Sequence, residues 1–225
     1  MIHGADEVIY TRRRTLALMV QPGGRVVVRA PLHTSDARIN ALLREKAGWL
    51  DQAKKRMAAV PAPKVIHFEN GERIWYQGQT YPLRLEKSVR GGLAFVPAKG
   101  FLLQEDRRSE GQRLLEKFYR AETRRLTGEA LQVYARRFDL HPTSVSVTAA
   151  KSRWGSCGAR NTINFSYRLA MVPPEALAYV VAHELAHTVH HNHSQAFWAL
   201  VAQLRPGFQK ERAWLRQHGP TLPLL

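Results

Sequence analysis

The chain has 225 residues, 44% of them hydrophobic, and its 34 Lys and Arg outnumber its 18 Asp and Glu to give a formal charge of +16. This hydrophobic content excludes an intrinsically disordered chain or a low-complexity fibre. A single cysteine excludes an internal disulfide framework, and without a signal-peptide pattern or an apolar run near the roughly 20 residues of a membrane span, we expect a cytoplasmic protein with no membrane partner.

Two patterns occupy the first part of the chain. Alternating apolar residues on either side of a Pro22–Gly24 turn predict a β-hairpin over residues 8–30. Apolar residues at helical spacing predict one helix over residues 35–57, which Ser35 or Thr34 can cap. A hairpin followed by a helix is an α+β order and not the alternating order of a parallel sheet.

The middle of the chain changes from a β-type to a helical pattern. Regularly placed glycines predict a β-rich segment over residues 64–103. The pattern over residues 108–138 predicts one long helix, or two if Gly128 interrupts it. We therefore expect a β-rich N-terminal region with one helix over residues 1–103 and a second, more helical region over residues 104–225, with a soft boundary between them.

The last part of the chain mixes strands and helices without an internal repeat. Its predicted elements are strands over Ser144–Ala150 and Thr162–Val172, a helix that begins at Pro173-Pro174, a helix from Ser194 to near Pro206, and a final helix over about residues 209–217. The whole chain is thus predicted to be of the α+β class.

Five of the ten histidines lie between His183 and His193. Residues 183–187 form an HExxH pattern, in which His183 and His187 share one face of a helix and can both bind one Zn²⁺ at about 2.0–2.1 Å. Glu184 is then the general base for a zinc-activated water. The motif lies in an apolar helix, where polar side chains without partners are costly, so a zinc site is favoured over a structural histidine pair.

Three later histidines are candidates for the third ligand. If the helix continued, His191 would lie about 12 Å along the axis from His183, too far to share one ion. His193 lies beyond the predicted end of the helix, where a turn over residues 192–194 can direct its side chain back. The spacing of His193 equals that of the metzincins, although His190 stands where they have Gly. The spacing favours His193 as the third ligand. His190 and His191 are then expected at the surface or in contact with the ligand side chains.

Several segments resemble the YgjP-like metallopeptidases, which are related to the SprT-like and WLM minimal zincins. The similarity is strongest in Lys151–Cys157, Tyr179–His187, Asn192–Ser194 and Phe197–Trp198, and extends to Tyr10–Leu18, Arg25–Pro31 and Gly71–Gln79. The resemblance implies a zincin-like catalytic region over residues 104–225 and a hydrolase usually described as a peptidase. It also implies that zinc is the cofactor, held by His183, His187 and His193, and that Glu184 is catalytic.

Other residues near the motif allow a catalytic and a structural interpretation. Candidates to stabilise a developing oxyanion are Tyr179, Arg153 and Tyr167. Tyr179 fits a core aromatic residue better, and Trp154 and Cys157 fit packing against the active helix. Cys157 as a fourth ligand would close the position that catalysis needs open. In minimal zincins an edge strand aligns extended substrate, and we expect that strand near residues 145–157 or 161–168.

Three functions fit these observations. The favoured one is a zinc peptidase acting on a protein or peptide. The first alternative is a metal-dependent hydrolase of nucleotide phosphoanhydrides, with arginines that hold the phosphates. The second is a basic nucleic-acid-associated module with a structural metal. The charge also predicts a nucleic acid as a partner of the basic surface, with Arg12–Arg14 and the helix face of Arg120 and Arg124 as candidate contacts.

Overall fold

The computed structural model describes residues 2–58 and 65–225. Contacts between Cα atoms divide the chain into two compact units, Met1–Lys64 and Val65–Leu225. The soft boundary predicted between residues 103 and 104 lies inside the second unit. Both units combine helices with small sheets, so the predicted α+β class agrees with the structure.

Within residues 2–58, the first unit has a three-stranded sheet and two α-helices. Its elements are β1 (Glu7–Thr11), β2 (Ala17–Val20), β3 (Val26–Pro31), α1 (Asp36–Glu45) and α2 (Ala47–Ala58). The predicted hairpin is present as the antiparallel pair of β2 and β3, around the turn at Pro22–Gly24. The segment before the turn, predicted as one strand, forms two strands, β1 and β2. β1 pairs parallel with the edge of β3 that lies opposite β2.

The predicted helix over residues 35–57 is also divided. Ser35 caps α1, because its hydroxyl accepts a hydrogen bond from the Arg38 backbone N–H at 3.4 Å. Lys46 leaves the helical conformation, with φ −98° and ψ 13°, and α2 begins at the next residue. Both helices bury an apolar stripe, Ile39 and Leu43 in α1 and Leu50 in α2, in one hydrophobic cluster with Val26, Val28 and Ala30 of β3.

The second unit has two sheets and four helices among the residues that the structure describes. Its elements are β4 (Arg73–Tyr76), β5 (Gln79–Glu86), β6 (Leu93–Val96), β7 (Gly100–Gln104), α3 (Gly111–Phe138), β8 (Ser144–Thr148), β9 (Gly155–Cys157), β10 (Thr162–Ser166), α4 (Pro174–Ala186), α5 (Gln195–Leu204) and α6 (Gln209–His218). The first sheet has the order β4-β5-β7-β6, and the second has the order β8-β10-β9.

Helix α3 connects the parts of this unit. It runs unbroken through Gly128, so the pattern over residues 108–138 is one helix. The Thr123 hydroxyl donates to the Tyr167 carbonyl at 2.9 Å, and the Tyr134 hydroxyl donates to the Ala178 carbonyl of α4 at 3.3 Å. The first bond holds the segment that precedes α4, and the second holds α4 itself.

The strand predicted over Thr162–Val172 ends early. β10 stops at Ser166, whose hydroxyl accepts from the Arg168 N–H at 3.3 Å, and residues 167–171 form a 3₁₀ turn. The Ser144–Ala150 strand likewise ends at Thr148. Within residues 2–58 and 65–225, every helix is too short or too polar to cross a bilayer.

Candidate metal centre

The C-terminal half of α4 carries the HExxH pattern. Pro174 at the first helical position begins this helix, and the His187 N–H donates to the His183 carbonyl at its end. Because the two histidines are one turn apart, their rings meet with centroids 4.9 Å apart. The predicted helix that begins at Pro173-Pro174 is present as α4.

A tight turn returns the chain to the end of α4. Ser194 caps α5, since its hydroxyl accepts from the Phe197 N–H at 3.3 Å. This turn places His193 beside the HExxH histidines, with its Nε2 3.3 Å from Nε2 of His183. Among the described residues, His183, His187 and His193 form a group whose ligand nitrogens all lie within 4.8 Å of one another.

The separation of one pair of donor nitrogens fits a tetrahedral zinc ion. Ligands at about 2.0–2.1 Å in a tetrahedron lie roughly 3.3 Å from one another, which is the separation of the His183 and His193 nitrogens. The Nδ1–H of His187 donates to the His190 carbonyl at 3.0 Å, which leaves Nε2 of His187 free to bind a metal. The donor set therefore matches zinc, and His190 contributes its backbone and not its ring.

The surroundings of His183 and His187 favour the neutral forms of these two imidazoles. Burial, together with the charges of His187, His193 and Arg212, lowers the pKa of His183 to about 3. Burial also lowers the pKa of His187. A neutral imidazole has the lone pair that a metal ion requires, so these side chains can bind a metal near neutral pH without losing a proton.

Glu184 is a buried carboxylate beside the three histidines. Its side chain is 5% exposed, and its Oε2 has no hydrogen-bond partner among the described residues. Burial raises its pKa to about 7, while the Arg153 charge acts in the opposite direction. A carboxyl group with a pKa near neutrality can both accept and return a proton.

Gly155 lies directly against Glu184. A Cβ atom at this glycine would be 2.6 Å from both Cγ and Oε1 of Glu184, closer than real Cβ contacts come. Only a residue without a side chain therefore leaves room for the carboxylate.

Gly155 begins β9, one of the two edge strands of its sheet. β9 pairs on one side with β10 through Gly155 opposite Phe165 and Cys157 opposite Ile163. Within the residues that the structure describes, its other edge has no partner strand. A free strand edge thus passes beside the candidate general base, within the predicted range of residues 145–157.

Aromatic side chains fix the positions of the three histidines. The Phe197 ring centroid lies 4.4 Å from that of His187 and 4.9 Å from that of His183. Trp198 stacks on His193 with centroids 5.7 Å apart and planes inclined by 25°. Because these rings pack closely on the imidazoles, they restrict the rotamers of the three histidines.

The residues considered from the sequence as oxyanion-stabilising groups or as a fourth ligand differ in burial and contacts. Tyr179 is 6% exposed and stacks on Phe208 with centroids 5.6 Å apart, which supports a role in the core. Tyr167 is buried, and its hydroxyl exchanges hydrogen bonds with the backbone of Leu225. Arg153 is exposed near Glu184. The thiol of Cys157 contacts the Gly158 carbonyl at 3.6 Å and is outside the group of ligand nitrogens.

Trp154 lies between Arg168 and Gly219 and also packs against the main hydrophobic cluster. The Arg168 guanidinium lies over its ring, 4.8 Å from the centroid, and the ring edge approaches Gly219 so closely that a Cβ there would be 2.8 Å away. Arg168 also donates to the carbonyls of Lys151 and Gly219, at 3.0 and 2.6 Å. Trp154 thus helps to fasten the loop before β9, which fixes the strand that carries Gly155.

The family model described as the YgjP-like metallopeptidase domain matches residues 14–218. The chain belongs to the YgjP-like family. That match spans the metal centre, so the YgjP-like chain contains a metallopeptidase domain.

Comparison of the YgjP-like chain with solved structures found the metallopeptidase zymogen abylysin of Pyrococcus abyssi. The two chains share 18% sequence identity with a TM-score of 0.37, over 43% of this chain and 98% of that one. Comparison with the curated proteins gave no match.

Proposed function

We propose that this protein is a zinc-dependent peptidase in which His183, His187 and His193 hold the metal and Glu184 is the general base. The convergence of three imidazoles beside a buried carboxylate is the observation that carries the proposal. A bound zinc would supply Lewis acidity at neutral pH. Membership of the family supports a metal-dependent peptidase, and the minimal-zincin arrangement of α4, α5 and β9 is our interpretation of the geometry.

In peptide hydrolysis, proton transfer, substrate binding and the space for the carboxylate are provided by different residues of this chain. Glu184 accepts the proton of the attacking water and returns it to the leaving amine, which its pKa of about 7 suits. The free edge of β9 binds the substrate backbone in an extended conformation. Gly155 leaves the volume that the Glu184 carboxylate needs.

The β9 edge favours the peptidase over the phosphoanhydride hydrolase. An extended peptide has backbone groups at the spacing of a strand and can pair with that edge, whereas a nucleotide triphosphate cannot. The site geometry also favours catalysis over a structural metal. Three protein ligands leave a fourth position for water or substrate, as catalytic zinc sites require.

Metal removal tests the proposal. The purified protein is expected to contain about one zinc per chain, to cleave casein or itself, and to lose that cleavage on chelation and regain it with zinc. Nucleoside triphosphate turnover, measured in parallel, is expected to be absent. Protein without bound metal, or metal-dependent triphosphate turnover without proteolysis, would contradict the peptidase assignment.

Gly155→Ala tests the contact between β9 and Glu184. The added methyl group displaces the carboxylate, and a displacement of about 1 Å is expected to lower kcat by about 10²-fold. Zinc content is expected to stay unchanged, since no ligand moves. Gly128→Ala is the matched control, because a Cβ at that α3 position meets no atom within 4 Å. Full activity of Gly155→Ala would mean that Glu184 is not confined as the structure indicates.

We also propose that the first unit binds nucleic acid. Residues 1–64 carry 12 Lys and Arg against 5 Asp and Glu, a net charge of +7. Arg12 and Arg14 are exposed and form no ion pair with the described residues. Such arginines bind phosphates and release counterions, which makes the affinity depend strongly on salt.

The salt dependence of DNA affinity tests the nucleic-acid proposal. The double variant Arg12→Ala/Arg14→Ala is expected to reduce the slope of log K against log [salt] by about 1.8, or about 0.9 for each phosphate that the variant no longer neutralises. Arg84→Ala, in β5 of the second unit, controls for the removal of positive charge. Weak binding that does not change with salt would exclude this partner.

A further inference from the structure

Positive charges dominate the surroundings of the metal centre. From outside the histidine cluster, the charged side chain that acts on His183 is Arg212, and the one that acts on Glu184 is Arg153. The nearest carboxylate on α6, Glu211, is neutralised by an ion pair with Arg205 at 3.0 Å. Apart from Glu184 itself, the described part of the chain thus places no free acidic group against the centre.

Arg212 is held at the histidine cluster by a stack of aromatic rings. Its guanidinium carbon lies 4.7 Å from the centroid of Trp198, which stacks in turn on His193. Trp198 also stacks on Phe208, with centroids 5.6 Å apart. Arg212 is exposed and has neither a carboxylate nor another hydrogen-bond acceptor as partner within residues 2–58 and 65–225. Its donors are therefore available to a ligand beside the metal centre.

Arg153 approaches the centre from the β9 side. It lies two residues before Gly155, which contacts the Glu184 carboxylate. Arg153 is exposed, and the described residues offer it no ion pair or hydrogen bond. Two elements therefore bring an arginine to α4. β9 and the residues before it bring Arg153 near Glu184, and α6 brings Arg212 near His183.

We propose that Arg153 and Arg212 select peptide substrates with acidic side chains near the cleaved bond. This inference rests on the proposed peptidase function and specifies its substrate class. A peptide paired along β9 passes between two guanidinium groups that have no hydrogen-bond acceptor among the described residues. A guanidinium group binds a carboxylate through two parallel hydrogen bonds. A lysine or arginine at the same substrate positions meets like charge, and the bound metal adds to that repulsion.

A panel of fluorogenic peptides tests this selection. The peptides have one length and one cleavable centre and differ only in carrying Glu, Ala or Lys on each side of it. The wild-type protein is expected to show about tenfold higher kcat/KM for the Glu peptides than for the Lys peptides at low salt. High salt is expected to reduce that ratio, because the arginines are exposed and their charges are screened.

Charge-reversal variants assign the preference to the two arginines. Arg153→Glu and Arg212→Glu are each expected to abolish or invert the preference on one side of the cleaved bond. Arg84→Glu is the control. Arg84 is exposed in β5, which belongs to the four-stranded sheet and not to the sheet of β9, and this variant is expected to keep the wild-type ratio between Glu and Lys peptides. Arg153→Gln and Arg212→Gln are milder variants that remove the charge while preserving much of the side-chain length, should a reversal prevent folding.

The ratio between peptides separates specificity from structural damage. A variant that lowers kcat/KM equally for Glu, Ala and Lys peptides would show that its arginine only supports the fold, which overturns the inference. Equal cleavage of all peptides by the wild type would also overturn it and leave the peptidase function intact. No cleavage of any peptide by the zinc-loaded wild type would instead overturn the peptidase function itself.

Discussion

Glu184→Gln is expected to lower kcat for peptide cleavage by about 10²–10⁴-fold while zinc content stays at the wild-type level. The amide has the shape of the carboxyl group but cannot accept the proton of the attacking water. Glu184 is the group whose pKa burial raises to about 7, and no other acid of α4 is buried. Single-turnover kinetics with a fluorogenic peptide and metal analysis of the same sample measure both quantities.

Glu175→Gln is the matched control for this variant. Glu175 is the other acid of α4, and it is exposed in the first turn of the helix. The control is expected to keep wild-type kcat and thermal stability. Glu184→Gln is expected to fold as well as the wild type, because it removes a buried group that charges near neutral pH and has an oxygen without a partner. Substantial cleavage by Glu184→Gln would assign the proton transfer to another group.

Much of the candidate centre was predictable because its determinants are local in sequence. The HExxH spacing defines one face of a helix whatever surrounds it, and Ser194 marks the start of the next helix. The short segment between these elements can only be a tight turn, so His193 returns to the end of α4. The roles of His183, His187, His193 and Glu184 in binding zinc and moving protons remain predictions, which metal analysis and the kinetics of their variants test.

Other features depended on contacts between distant segments. The parallel pairing of β1 with β3 could not be predicted, because the alternation in residues 8–20 is compatible with one strand or two. The early end of β10 follows from the hydrogen bond of Ser166 to its own turn, which competes with the strand pattern. The predicted soft boundary at residue 103 followed the change from a β-type to a helical pattern, whereas contacts between Cα atoms divide the chain after Lys64.

The surroundings of the centre were the least predictable part. Arg212 belongs to α6, and nothing in its own segment indicates that its guanidinium lies against Trp198. The hydrogen bond from His187 to the His190 carbonyl is local, but it requires the turn geometry at the end of α4. Sequence spacing identifies side chains on one helix face, whereas it does not identify backbone groups that orient them or cations that other helices bring nearby.

His193→Ala is expected to lower zinc affinity by about 10²-fold or more and to remove activity at limiting zinc. Removing a direct ligand must cost at least as much as removing the groups that orient ligands, which typically costs about 10–100-fold. His190→Ala and His191→Ala are unusually close controls, because both lie within three residues of His193 and neither ring belongs to the group of ligand nitrogens. Competition with a chromophoric zinc chelator measures all three affinities on the same scale.

The controls also test the way in which His187 is oriented. His190→Ala retains the backbone carbonyl that accepts from Nδ1 of His187, so its zinc affinity is expected to match that of the wild type. A large drop in affinity in His190→Ala or His191→Ala, with His193→Ala unaffected, would move the third ligand to an earlier histidine. The turn before Ser194 would then have to open, since His193 Nε2 lies 3.3 Å from His183 Nε2 when the turn is closed. The three variants thus decide whether the turn between α4 and α5, and not helical spacing alone, assembles the metal centre.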